Sequence, residues 1–165
     1  MWIVIKFNKK EINLLKKDLK SKLGEEVKFF LPKIKFQKLK NNRLFNEENF
    51  LLGNYLICFH PSFENVSLLN TLKYCKGLSY FLRDFCNSQK EIIAFINKCK
   101  NHQDDKGYIK QSFFNFGENH NFKFMSGPFT NMIFKILEKQ KNSIKILVRD
   151  CKLTVLRNKY LFKPI

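Results

Sequence analysis

Cys58 and His60 stand two residues apart in an apolar run, the spacing that puts a thiol and an imidazole on the same face of a β-strand. A thiolate nucleophile needs such a base, and a third group to orient the base. No acidic residue stands beside the pair, so Cys58 reads as a core residue and His60 as a strand-end residue. His102 and His120 are far away in sequence. Asp104-Asp105 lacks the further carboxylates a cation site would need, and Glu25-Glu26 and Glu47-Glu48 are isolated pairs in loop-like sequence. The five cysteines, Cys58, Cys75, Cys86, Cys99 and Cys151, form no CxxC pair. Their spacing and odd count fit neither a zinc ribbon nor a disulfide framework. They fit small buried hydrophobes of a reducing cytosol. No glycine-rich phosphate loop occurs. The sequence thus predicts no catalytic residue, no metal and no cofactor, and a chain that binds rather than reacts.

Its charge suggests what it binds. The chain of 165 residues carries 31 basic and 14 acidic side chains, a net charge of +17. Residues 1–100 hold 19 basic and 9 acidic groups, and residues 101–165 hold 12 and 5, so the excess is +10 and +7 and is no basic tail. Such a field favours polyanions. The same composition, rich in Lys, Phe, Asn and Ile with Ala94 as the one alanine, also fits an AT-rich coding sequence. Both readings of the charge stay open. No signal peptide is read at the start, and no apolar run approaches the roughly 18 residues of a membrane span, so a cytoplasmic protein without membrane contact is expected.

The elements that must position these residues follow from periodicity. Trp2–Phe7 reads as a strand and Asn8 as the cap of the helix after it. Ile12, Leu15, Leu19 and Leu23 form one apolar stripe, and Gly24 ends the helix. Val27–Leu31 is a second strand, interrupted by Pro32. Lys33–Lys40 is an extended arm or edge hairpin with Asn41-Asn42 as its turn. Leu51–Phe59 is nearly all apolar and reads as a central strand stopped by Pro61. Val66–Cys75 is a short helix, Leu78–Phe85 a strand, and Ser88 caps a helix over Lys90–Lys98 with Ile92, Ile93 and Ile96 inward. The order predicts an α+β sandwich, helices on a mostly antiparallel sheet. Domains are expected at 1–100 and 113–165, with 101–112 as a polar linker.

The C-terminal part is ambiguous. Phe129, Met132, Ile133, Ile136 and Leu137 make a helical stripe, yet Met132, Phe134 and Ile136 alternate as in a strand. Ile144, Leu147, Val148 and Cys151 fit a helix; Ile144, Ile146 and Val148, then Leu153 and Val155, fit strands. Lys141-Asn142-Ser143 is a turn in either case. Five short strands and a two-helix hairpin are both compatible with this pattern. Phe114, Phe116, Phe122, Phe124 and Phe162 supply aromatic mass for a small barrel core.

Several motifs stand in a telling order: Trp2 in the first strand, the amphipathic first helix, Gly53-Asn54-Tyr55-Leu56, Lys76-Gly77-Leu78-Ser79-Tyr80-Phe81, and Gly127-Pro128-Phe129. In that order and spacing the chain resembles the NusG family of transcription elongation factors over nearly its whole length, most of all the RfaH-like specialised paralogues. The resemblance implies an N-terminal NGN domain and a C-terminal KOW-type β-barrel entered through the Gly127-Pro128-Phe129 turn. It also implies that the barrel segment can form a helical hairpin masking the N-terminal patch. The chain departs from the pattern where Phe134 stands in place of a second glycine, Lys6 in place of a first-strand aromatic, and about two extra residues separate Gly117 from Gly127.

What the resemblance implies for function is a monomeric antitermination or elongation factor, bound to the clamp helices of RNA polymerase and suppressing pausing or termination. Leu52, Tyr55 and Ile57 match its apolar docking patch, and Leu68, Leu69 and Asn70 its contact to the opposite jaw. Lys9, Lys10, Lys16, Lys17 and Lys20 would face displaced DNA in the transcription bubble. Lys33, Lys35, Lys38, Lys40 and Arg43 would reach upstream DNA; charge in reach suffices for phosphate contacts. A small-subunit ribosomal protein or Rho would be the partner of the C-terminal domain. The alternative is a ribosome-associated, RNA-binding KOW protein.

Overall fold

In the computed structural model the described residues are 1–114, 120–157 and 159–165, less the side chains of Leu39 and Val66. Phe116 and Gly117 lie outside the described residues. In chain order the elements are β1 (Trp2–Phe7), α1 (Ile12–Leu23), β2 (Lys28–Phe30), β3 (Lys33–Lys40), β4 (Arg43–Phe50), β5 (Tyr55–Phe59), α2 (Val66–Leu72), β6 (Leu78–Phe81) and α3 (Gln89–Asn101). Then come β7 (Asn121–Phe124), β8 (Ile133–Lys139), β9 (Ser143–Val148), β10 (Cys151–Leu156) and β11 (Phe162–Pro164). The chain divides into two compact units. The first is Met1–Pro32 with Phe50–Asn101; the second is Lys33–Asn49 with His102–Ile165. The fold is mixed α/β with antiparallel sheets.

In the first unit the sheet runs β2-β5-β1-β6. The alternation of β1 sorts its side chains. Ile3, Ile5 and Phe7 are buried with Leu56 and Cys58 of β5, Leu15 and Leu19 of α1, and Leu69 and Leu72 of α2. Each fully buried Leu of this set contributes roughly 1.5–3 kcal/mol relative to exposure. The opposite face carries Trp2, Val4 and Ile57, packed with Ile92 and Ile96 of α3. Gln89 fastens the start of α3 to β1: its Oε1 accepts from the Trp2 N–H at 2.9 Å, and its Nε2 donates to the Trp2 carbonyl at 2.7 Å. Asn8 accepts from the Lys10 N–H at 3.2 Å, capping the 3-10 turn that leads into α1. The Gly24 N–H closes the helix on the Lys20 carbonyl at 2.8 Å.

Two expectations for this unit are corrected. Leu51–Asn54 is a turn, so β5 begins only at Tyr55. Gly53 sits at φ +61, and its N–H donates to the Phe50 carbonyl at 3.1 Å, a geometry no strand continues through. Ile93 does not point inward; it is 43% exposed, because the buried stripe of α3 is Ile92, Ile96 and Cys99.

In the second unit β3 and β4 form the hairpin expected of the arm, with Asn41 and Asn42 at φ 50° and 57°, the twist of a tight two-residue turn. The other sheet runs β10-β9-β8-β7-β11. Phe122, Phe124, Phe134, Ile136, Ile144, Ile146, Val155 and Phe162 share one core. No helix residue belongs to that cluster among the described residues, so the strands and the loops between them bury these side chains against one another. Burial decides the ambiguous period: Phe134 and Ile136 are buried while Ile133 and Leu137 are exposed, the alternation of a strand. Of segment 101–112, expected as a linker, Asn101 ends α3 and residues 102–112 belong to this unit. Asp104 Oδ1 accepts the N–H groups of Lys106 and Tyr108 at 2.9 and 2.8 Å, Ile109 is buried, and Gln111 pairs with the Phe162 backbone at 2.8 and 2.9 Å.

Candidate functional site

The free end of the first sheet is built by register. Lys6 lies opposite Tyr55 on one side and Tyr80 on the other, so β5, β1 and β6 set the three side chains in one row. α3 packs against Trp2, Val4 and Ile57, farther along the same face. The two phenol oxygens stand 3.4 Å apart, and Lys6 Nζ lies 5.2 Å from the Tyr80 ring centroid and 6.0 Å from that of Tyr55. Tyr80 is 45% exposed. The hydrogen bond between Tyr55 and Tyr80 holds Tyr80 below the usual phenol range, with Lys6 assisting; the same bond holds Tyr55 above it. A Tyr–Lys–Tyr row with an apolar border offers area, a cation and two polar tips to a partner.

The residues expected to dock divide by burial. Leu52 and Tyr55 are half-buried and reachable, and Leu68 and Asn70 lie on α2 in half-buried and exposed positions. Ile57 and Leu69 are buried and belong to the cores against α3 and under α2. Neither can give area to a partner while this packing holds, a correction to their expected role. Lys6 and Tyr80 complete the row but were missed as site residues. Only the pairing of β1 with both neighbours brings them to Tyr55, and spacing along the chain does not carry that information.

The basic sets are also unequal. Lys9, Lys10, Lys17 and Lys20 are exposed on α1 and its leading turn, and Lys16 is half-buried with Nζ 5.7 Å from the Phe29 ring. Lys20 pairs with Glu25 at 2.6 Å. On the arm, Lys33 and Lys38 meet Glu48 and Glu47 at 3.7 and 2.6 Å across the hairpin. Lys35 lies over the Tyr108 ring, and Lys40 and Arg43 flank the turn. Solvent-exposed pairs of this kind are weak, so they lower the local field more than they fix the fold.

The turn Gly127-Pro128-Phe129, expected to lead into the barrel, instead lies between β7 and β8, inside the sheet. Gly127 has φ +80, and the Thr130 N–H and Oγ1 both donate to its carbonyl, at 3.1 and 2.6 Å. Phe129 packs on Phe124 at 5.4 Å between ring centroids. Cys58 is enclosed in the core, and burial pushes its thiol up to about 12. His60 Nδ1 accepts from the Ser62 N–H at 3.2 Å and so caps the following turn. The thiol and imidazole are thus both committed to structure. Among the described residues no group of three His, Cys, Asp or Glu could hold a metal ion, and no helix is long and apolar enough to cross a membrane.

No family model and no curated protein matches the chain. Solved structures do. One is a crystal structure of an MjSpt4:Spt5 complex in conformation B, at 12% identity over 100% of this chain and 97% of that one, with a TM-score of 0.35. Another is a structure of Thermotoga maritima NusG showing domain interaction, at 12% identity over 99% and 96%, with a TM-score of 0.36. Scores of this size carry no argument about role.

Proposed function

We propose that the chain is a transcription elongation factor of the NusG type, which docks on RNA polymerase and suppresses pausing or termination. The observation that carries the reading is the Tyr55–Lys6–Tyr80 row, a partly apolar, partly cationic sheet end beside Leu52 in a unit whose motif order resembles the NGN domain. Such an end fits the side of a partner helix: the rings supply area and Lys6 meets an acidic residue. The clamp helices of the polymerase are the partner this resemblance supports. Leu52, Tyr55, Lys6 and Tyr80 would make the dock, and Leu68 and Asn70 would face the opposite jaw. Lys10, Lys17, Lys40 and Arg43 would contact DNA phosphates in the bubble and upstream of it. The five-stranded sheet of the second unit would recruit a ribosomal protein or Rho.

The test is binding of the full chain to cognate core polymerase at physiological salt, alongside Tyr55→Asp. The expected outcome is binding that the variant loses, because a carboxylate in the row lacks the area of the ring and breaks the phenol pair. Binding that Tyr55→Asp retains would move the dock elsewhere. Binding only to RNA, collapsing steeply between low and physiological salt, would favour the ribosomal alternative.

A further inference from the structure

The second unit holds a cleft of about 560 Å³, within the roughly 300–1,000 Å³ of ligand-binding clefts. Four separate stretches build its wall: the β3–β4 arm, the segment from Asp104 to Ser112, Ser126 after β7, and the stretch from Lys159 to Leu161. Lys35, Lys110 and Lys159 line it, against one carboxylate, Asp104. That carboxylate is occupied by the Lys106 and Tyr108 N–H groups, while none of the three lysines is in an ion pair among the described residues. The wall also carries two aromatic rings, each beside an ammonium. Lys35 Nζ lies 5.0 Å from the Tyr108 ring centroid, and Lys159 Nζ 5.4 Å from that of Tyr160.

That combination narrows the ligand. An apolar peptide would leave three ammonium groups without an anion. An acidic peptide would use the lysines and leave the rings idle. A nucleotide uses both, since its base has a π-face for a phenol ring and its phosphate an anion for the lysines. We propose that this cleft binds an unpaired nucleotide, its base against Tyr108 and its phosphate among Lys35, Lys110 and Lys159. A free nucleotide and a segment of single-stranded nucleic acid share this chemistry. The site extends the nucleic-acid role proposed above for the arm, but does not rest on polymerase docking.

The test uses the full chain, a labelled single-stranded RNA of about ten nucleotides, and fluorescence anisotropy over a salt series, with no polymerase present, so its failure is separate from failure of the docking reading. The triple variant Lys35→Gln, Lys110→Gln, Lys159→Gln is compared with the charge-matched Lys73→Gln, Lys90→Gln, Lys100→Gln. If all three cleft lysines hold phosphate, only the first flattens the slope of log affinity against log salt, by about 2. Tyr108→Leu weakens binding about 5- to 160-fold. Tyr108→Phe removes only the hydroxyl that donates to Glu48, and keeps the affinity. Displacement by excess mononucleotide shows that a free nucleotide suffices; displacement by oligonucleotide alone shows that a strand is required. Equal effects of the two triple variants, equal losses in Tyr108→Phe and Tyr108→Leu, duplex binding as tight as single-strand binding, or displacement by polyglutamate as ready as by RNA would each overturn the proposal.

Discussion

Replacing Gly127 with alanine adds one methyl group at a point where the chain has no room for it. A Cβ built there lies 2.4 Å from both Cδ1 and Cε1 of Tyr160. The residue also sits at φ +80 and precedes a proline, a combination that an L side chain resists. Left-handed backbone costs about 1–2 kcal/mol for a residue with a Cβ. Forcing the Tyr160 ring aside adds about 1–3 kcal/mol of overpacking. The sum, about 2–5 kcal/mol, is a large part of the stability a domain of this kind has. The ring cannot retreat freely, because Phe124 and Phe129 stand edge-on to it at 6.0 and 6.1 Å. Native-state hydrogen exchange of the β7, β8 and β9 amides reads the loss directly, and a cost of 2 kcal/mol or more speeds globally limited exchange at least about 30-fold. In a Tyr160→Leu background the same Gly127→Ala change should cost only the backbone part, about 1–2 kcal/mol. An equal cost in both backgrounds would refute the ring contact. No cost in either would refute the left-handed turn itself.

At pH 8 an aromatic disulfide reagent should label Cys86 and Cys151 quickly and Cys58, Cys75 and Cys99 only on unfolding, since the first two are exposed and burial raises the thiols of the other three. A third fast thiol would contradict the packing of the first unit. In a spectrophotometric titration one phenol of the Tyr55–Tyr80 pair should ionise below the ordinary tyrosine range and one above it. Tyr80→Phe should remove the early step and draw Tyr55 back toward its ordinary value; a curve short of only one ordinary tyrosine would show that the pair does not form. Ile96→Ala should cost about 2–5 kcal/mol in urea unfolding followed by Trp2 fluorescence, while Ile93→Ala should change it by less than about 0.5 kcal/mol. Similar costs would put the wrong face of α3 on the sheet.

The parts of this molecule that sequence made legible are those governed by a few neighbouring residues. Asn41-Asn42 reads as a turn because Asn tolerates positive φ, and both residues adopt it. The Ile12–Leu23 stripe reads as a helix because four side chains at three- and four-residue steps need one buried face. Where two local signals compete, one is lost. In Leu51-Leu52-Gly53-Asn54 the apolar run points to a strand, and the glycine turn prevails because the Gly53 N–H closes on the Phe50 carbonyl before β5 begins. The period of 129–137 has no local solution at all. The pairing of β8 with β7 and β9 fixes which side chains face inward.

The candidate sites lie at the far end of that scale. Tyr55, Lys6 and Tyr80 meet only because β1 pairs with strands more than 45 and 70 residues downstream. Lys35 and Lys110 meet because the arm and the segment after α3 are hydrogen-bonded, Ile109 N–H to the Lys33 carbonyl at 2.8 Å, and Lys159 joins them because the Met125 N–H donates to the Leu161 carbonyl at 2.7 Å while the Met125 carbonyl accepts from the Gln37 N–H of the arm at 2.6 Å. Composition bias could raise the number of lysines anywhere in the chain. It would not gather three of them from three stretches around two tyrosines, nor leave them out of the ion pairs of the described residues while Lys20, Lys33, Lys38 and Lys145 are paired. The net charge of +17 is therefore less informative than its placement: cations that register and tertiary pairing bring to aromatic rings are the ones whose removal should change binding by more than their charge alone.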